Sequence, residues 1–193
     1  MSDKIKKTRR EHIIEQAAFL FKSKGYSASS MRDLGERVGV EAASLYNHIR
    51  SKEDILEDIC IRISNTYISH LTEIEKKNIS PAAKIEALIR LHVRIIIEDT
   101  EGVSVVNNEW KHLPEPSLTI FKTSRRDYER RFAAIIQQGI EQGEFQNVNI
   151  SVALFTILSA VRWVELWYKP DRDISTYTLE NDIVLMLLNG LKL

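Results

Sequence analysis

The stretch from Glu41 to Lys52 holds the residue types and spacing best suited to recognition chemistry in this chain. Read as a short helix, it turns Leu45 inward and leaves Ala42, Ala43, Ser44, Asn47 and His48 on the outer side. Small side chains let a helix backbone approach a duplex closely, and Ser and Asn carry donors and acceptors that match base edges and phosphates. Tyr46, His48 and Lys52 are placed to meet a phosphate backbone. Ser29 or Ser30, with Arg32 beside them, opens the preceding helix, where free backbone N–H groups and the helix dipole favour an anion. This is the chemistry of reading a polyanion.

A second singular residue is Arg162, set in an apolar stretch beside Trp163 and Trp167 and three residues before Glu165. A buried guanidinium needs an anion. Either a carboxylate of the chain supplies it, such as Glu165 or Glu109, or an acidic ligand does, through a carboxylate, thioester or phosphate. Bond-making chemistry is not in view. His12, His70 and His112 have no ligand spacing with one another or with Cys60, so no metal is expected. No nucleophile–base pattern, P-loop or dinucleotide fingerprint occurs, so neither an enzyme nor a bound cofactor is expected. The single cysteine excludes an internal disulfide framework and fits a reducing, cytoplasmic location.

The elements that position these residues follow from periodicity. Apolar positions recur at helical spacing nearly throughout, and few of the 193 residues are Gly or Pro (7 and 4), so the chain is read as all-α. Ile13, Ala17 and Leu20, with Ile14, Ala18 and Phe21, line a first helix that stops at Gly25. Ser30 to Asp33 is a capping box with Asp in place of Glu, opening a second helix that ends at Gly39. A third runs from about Glu41 to Ile49. Ser51 to Asp54 caps a long fourth helix with Ile55, Ile59, Ile63, Tyr67, Leu71 and Ile74 on one side. Ser80-Pro81 starts a fifth, to about Asp99, which Glu101-Gly102 breaks. A shorter helix carries Trp110, Pro116 opens a long charged one reaching about Gly143, and two apolar helices close the chain, at about Asn149–Tyr168 and Ser175–Leu191, with Pro170-Asp171 between them.

Formal net charge is zero, but it is unevenly spread: residues 1–52 hold 11 Lys and Arg against 6 Asp and Glu, the remainder 16 against 21. A basic head on an acidic body points to a polyanion met by the head alone. The basic arm Lys4, Lys6, Lys7, Arg9 and Arg10 is placed to reach along a duplex or into a minor groove. No signal peptide is expected, because Met1 to Arg10 are basic and lead into an amphipathic stretch. The longest uncharged apolar stretch near the C-terminus, Val152 to Val161, stops at Arg162, short of the roughly 20 residues of a membrane span, so no membrane partner is expected.

Two short helices joined at a tight turn, the second free on its outer side, make a helix-turn-helix. Leu34 and Val38 face inward, Gly39 reverses the chain and Val40 fills the turn. The blocks Ser29-Ser30-Met31-Arg32-Asp33-Leu34, Gly39-Val40, Ser44-Leu45-Tyr46-Asn47-His48 and Ser51-Lys52-Glu53-Asp54-Ile55-Leu56 together resemble the signature of the TetR/AcrR family over roughly residues 7–56. The chain departs from that pattern at Glu41, where Ser is usual, at Ala43, a frequent Gly, and at Ile49, a frequent Phe. The resemblance implies a nine-helix homodimer with a helix-turn-helix DNA-binding domain, 1–52, and a helical effector-binding and dimerisation domain, 53–193. It also implies a transcriptional repressor released from double-stranded operator DNA by a small-molecule effector.

Phe155, Leu158, Trp163, Val164 and Trp167, with Ile183, Val184, Met186, Leu187 and Leu188, offer more apolar surface than a monomer buries easily, which suits a four-helix dimer interface. The run Arg162 to Pro170 is similar to that of family members that respond to acyl-coenzyme A thioesters of lipid or steroid breakdown, so an acyl-CoA or fatty acid is the implied effector. On that resemblance Arg125, Arg126, Arg130 and Arg131 would meet the coenzyme phosphates, with a solvated helix face as the alternative. His92, Trp110 and Phe132 stand with Arg162 and Trp163 as pocket-lining candidates, with plain core as their alternative. Two other functions fit the same residues: an architectural DNA binder without an effector, and a helical small-molecule carrier in which Glu41 marks a vestigial head.

Overall fold

The structure is a computed structural model that describes residues 7–169 and 174–192. Lys4, Lys6 and the Pro170-Asp171 break lie outside the described residues. Within them the chain is all-α, with α1 Arg9–Lys24, α2 Met31–Val38, α3 Ala42–Leu45, α4 Lys52–Lys76, α5 Pro81–Glu98, α6 Thr100–Glu109, α7 Ser117–Glu141, α8 Ile150–Trp167 and α9 Thr176–Asn189. A single 3-10 turn, Trp110–His112, extends α6.

The caps explain where these helices begin. Thr8 and Glu11 close a capping box on α1, and Ser30 and Asp33 close another on α2, each satisfying two orphan N–H groups. Ser51 accepts from the Asp54 N–H at the start of α4, Ser80 caps α5 ahead of Pro81, and Asn149 and Ser175 cap α8 and α9. The expected break at Glu101-Gly102 needs correction. The chain leaves α5 at Asp99, and Gly102 lies buried inside α6, where a single glycine is tolerated in a helix interior at a cost of about 1 kcal/mol.

The chain divides into two compact units, Met1–Ile63 with Glu101–Phe121, and Ser64–Thr100 with Lys122–Leu193. The core of the first is made by Ile13, Ile14, Ala17, Ala18 and Phe21 of α1, Leu34 of α2, Leu45, Ile49, and Ile55, Leu56 and Ile59 of α4. The second is centred on Leu71, Ile85, Leu88, Ile89, Phe132, Ile136, Leu154, Ile157, Val161 and Leu188. Within it Glu180 of α9 is buried and holds Arg94 of α5 through both carboxylate oxygens, at 2.9 and 3.0 Å.

One reading of α8 is corrected by its length. Arg162 ends the uncharged run, yet the whole 18-residue helix is apolar enough, by length and composition alone, to cross a membrane. Its Ala153, Leu154, Ile157, Val161 and Val164 side is core, whereas Val152, Phe155, Trp163, Leu166 and Trp167 are exposed. On α9, Val184 and Leu188 are buried while Tyr177, Leu185 and Met186 are exposed. These two helices therefore carry a second apolar face that the single chain leaves uncovered.

Two glycines decide the turn in the first unit. Gly39 has φ +77°, in the left-handed region, with open space where a Cβ would stand. Gly35 is different: a Cβ there would meet the Val40 carbonyl oxygen at 2.8 Å and the Ala42 nitrogen at 3.1 Å, both backbone atoms. Gly39→Ala is expected to cost about 1 kcal/mol, the left-handed penalty. Gly35→Ala is expected to cost more, about 1–3 kcal/mol, since the α2–turn contact must open. Denaturant unfolding of both variants checks the order, and a smaller loss for Gly35→Ala would contradict it.

Candidate functional site

The candidate reading surface is built on the Gly35–Val40 contact. The Val40 N–H donates to the Gly35 carbonyl at 2.9 Å, and the Ser44 N–H donates to the Glu41 carbonyl at 2.9 Å, so α3 leaves the turn in one direction. Leu45 and Ile49 are fully buried beneath it. The α-helix is shorter than the expected 41–49, because after Leu45 the chain continues as tight turns in which His48 and Ile49 donate back to the Leu45 carbonyl. Ala43, Ser44, Tyr46, Asn47 and His48 are exposed and Ala42 is half-buried, so they form one outward set.

Other candidates are placed differently. Ser29 is buried and its hydroxyl donates to the Gly25 carbonyl at 2.6 Å, which removes it from the surface and leaves Ser30 at the start of α2. Ser30 is already engaged with Asp33, whose carboxylate also pairs with Lys24 at 2.9 Å. Lys24 and the Ser30 hydroxyl and N–H hold the Asp33 carboxyl down at about 2. Arg32 is exposed and pairs with Glu36 one turn on.

Lys52 donates to the carbonyls of Tyr26 and Ser29, at 3.0 and 2.9 Å, and lies 4.3 Å over the Tyr26 ring. Two of its three N–H bonds thus strap the α1–α2 loop to the start of α4. In the basic arm, Lys7 pairs with Glu15 and Arg10 with Asp58 at 2.6 Å, so both are held by the protein, and Arg9 is exposed. The same unit includes the Trp110–His112 turn. His112 stacks on Tyr26 at 5.3 Å, Lys22 reaches Glu101 at 3.5 Å, and Trp110 stacks on Phe121.

In the second unit a polar-tipped aromatic cluster joins α4, α5 and α7. His92 stacks on Tyr67 at 4.5 Å and shares a 2.8 Å hydrogen bond with the Tyr128 hydroxyl, and Tyr128 packs on Phe132. Burial lowers the His92 pKa to about 4, so the ring is neutral. Burial, then the carboxylates of Glu165 and Asp99, push the Tyr67 phenol up. The sequence does not signal Tyr128, or Tyr67 as a member of this cluster. Tyr67 sits in the apolar stripe of α4, and no local pattern shows that residues 36 positions apart share a hydrogen bond. Phe132 is fully buried core, and Trp110 belongs to the other compact unit.

The expectation of a buried Arg162 is overturned. Arg162 and Trp163 are exposed and Glu165 is the buried member, because α8 turns its Val161, Val164 and Glu165 side to the core. On α7, Arg125 is exposed and pairs with Glu129, Arg126 is exposed, and Arg130 pairs with Asp127. Arg131 is spent on Glu75, Thr72 and Asp127 as a structural tie, not a free cation. Among the described residues no three His, Cys, Asp or Glu side chains group to hold a metal ion.

Residues 13–59 match the tetR family of bacterial regulatory proteins, and residues 78–191 match the tetracyclin repressor-like C-terminal domain. The chain belongs to the TetR family. The HTH-type transcriptional repressor KstR2 of Rhodococcus jostii is 25% identical over 189 residues, covering 96% of this chain and 92% of that protein. The ketosteroid regulator KstR2 of Mycobacterium tuberculosis superposes with a TM-score of 0.92 at 20% identity, over 97% of each chain. AibR, solved in complex with isovaleryl coenzyme A and operator DNA, superposes with a TM-score of 0.81 at 23% identity, over 94% of this chain and 98% of that one. This TetR-family chain is a transcriptional regulator with a DNA-binding helix-turn-helix.

The neutral His92 gives a pH test. Its usual value is near 6.5 and its folded value about 4, so between these the unfolded chain holds more protons. The stability from keeping the ring neutral is complete above pH 6.5 and is lost as pH falls toward 4. His92→Gln is expected to flatten that part of the stability profile in denaturant unfolding. An unchanged slope would show that the ring titrates normally.

Proposed function

We propose that this chain is a cytoplasmic, homodimeric repressor that binds a pseudo-palindromic operator, one head per half-site, and leaves it when an acyl-coenzyme A thioester binds the body. The observation that carries the DNA reading is the outward set Ala43, Ser44, Asn47 and His48, held over the buried Leu45 and Ile49. KstR2 of Rhodococcus jostii supports the sign, as a protein named a repressor, and AibR supports the effector class. The working division is a head of residues 1–52 and a body of 53–193, with no catalytic role for either.

The first compact unit offers a route for release. Glu101–Phe121 continues the chain out of α5 and into α7, and its His112 stacks on Tyr26 beside the Lys52 strap. An effector that shifts this segment tilts the head and changes the separation of the two reading surfaces. Neither Arg162 nor the Arg125 and Arg126 pair is required to touch the acyl group. As exposed cations they suit the coenzyme phosphates.

Two measurements test the reading. In band shifts on the region upstream of its own gene, the chain is expected to bind selectively at moderate salt and to be released by isovaleryl-CoA or a longer acyl-CoA, but not by free coenzyme A. Asn47→Ala is expected to weaken selective binding by about 1–3 kcal/mol while binding to unrelated duplex is unchanged. Absence of any selective site would sink the proposal.

Met186→Asp, at a side chain 77% exposed on the apolar face of α9, is expected to give a folded monomer in light scattering that no longer shifts a two-half-site operator. A variant that stays dimeric would move the interface elsewhere.

A further inference from the structure

Glu41 is the one acidic residue between Glu36 and Glu53, directly before the outward set of α3. Its backbone is fixed on both sides. The preceding Val40 N–H is tied to Gly35, its own carbonyl accepts from Ser44, and φ −61°, ψ 140° place it as the residue before α3. Its side chain makes no capping bond and is exposed. Unlike Asp33, Glu36, Glu53 and Asp54, which all bond or pair within the first compact unit, its carboxylate takes part in no hydrogen bond or ion pair among the described residues.

Its side chain is too long to close on the first amides of α3, so the helix forgoes the cap that Ser, Thr, Asp or Asn would provide. A carboxylate here also approaches a phosphate backbone, which opposes association. The residue thus disfavours both the helix start and non-specific binding. One contact in a major groove turns the same charge to advantage. A carboxylate only accepts hydrogen bonds, and an exocyclic amino group is what a base edge offers it. Guanine O6 and N7 and thymine O4 are acceptors and repel it, and adenine sets its N6 donor beside the N7 acceptor, which leaves the cytosine N4 amino group as the best match.

We propose that Glu41 is a specificity-determining residue that accepts a hydrogen bond from the N4 amino group of a cytosine in each operator half-site. The inference rests on the DNA-regulator reading above. It assigns the carboxylate two effects, selection of one C·G pair per half-site and rejection of duplexes that lack it. Asn47 and Ser44 supply the remaining polar contacts from the same surface.

The test is selection from a random-sequence duplex library with the full-length wild type, Glu41→Ala and Glu41→Ser. Wild type is expected to enrich a symmetric pair of cytosines, and replacing them is expected to weaken binding about tenfold per half-site. Both variants are expected to lose preference at that pair alone, keep it elsewhere, and bind unrelated duplex more tightly than wild type. Glu41→Ser restores a cap to α3, so relaxed selection shared by both variants is not a folding defect. Unchanged base preferences with uniformly tighter binding would overturn the inference and leave Glu41 as a repulsive charge. Failure of the wild type to select any sequence would instead bring down the DNA-regulator reading itself.

Discussion

The ammonium group of Lys52 donates to the carbonyls of Tyr26 and Ser29 while lying over the Tyr26 ring, and the first compact unit is arranged around that point. Tyr26 packs edge-on against Phe21 at the end of α1, stacks on His112 beyond α6, and reaches Glu53 through its hydroxyl. One cation therefore sets the end of α1, the approach to α2, the start of α4 and the Trp110–His112 turn against one another. Carbonyls in a loop between helices have no ladder to join, and a charge-assisted donor satisfies two of them at once.

Above that support the second constraint is steric. Gly35 lets the Val40 carbonyl and the Ala42 amide sit where any side chain would collide, so α2 and α3 are locked at close range. Leu45 and Ile49 then anchor the reading segment from below, and its polar tips project outward. Precise placement of small groups matters more here than strong binding groups, since base edges are discriminated by donor and acceptor position.

The second unit uses charge and aromatic contact differently. Glu180 with Arg94, and Arg131 with Glu75 and Thr72, tie neighbouring helices where apolar packing alone would let them slide. The Tyr67, His92 and Tyr128 group puts hydrogen-bonding tips among apolar residues, and desolvation keeps the imidazole neutral. Among the described residues α8 and α9 leave Val152, Phe155, Trp163, Leu166, Trp167, Leu185 and Met186 exposed, which is why the proposed dimer uses that face.

Most of the fold was legible from sequence, because helix periodicity and caps are local. Ser30, Ser51, Ser80, Asn149 and Ser175 stand at or next to helix starts, and Gly25 and Gly39 at helix ends. The family signature is equally local, so the candidate reading residues Ala42 to His48 are legible in the sequence. What the sequence could not decide was direction and pairing over distance. Ser29 and Ser30 are adjacent and chemically alike, yet packing buries one and exposes the other. Lys52, Arg10 and Arg131 look like free cations until carbonyls and carboxylates from distant segments meet them. Arg162 sits in an apolar run, but the rotation of α8 against its core turns Glu165 inward instead. Local composition determined which helices form and which residues could read DNA. Only tertiary packing, which chooses the buried side of each helix and the partner of each charge, decided which of them stay exposed and which are spent on the fold.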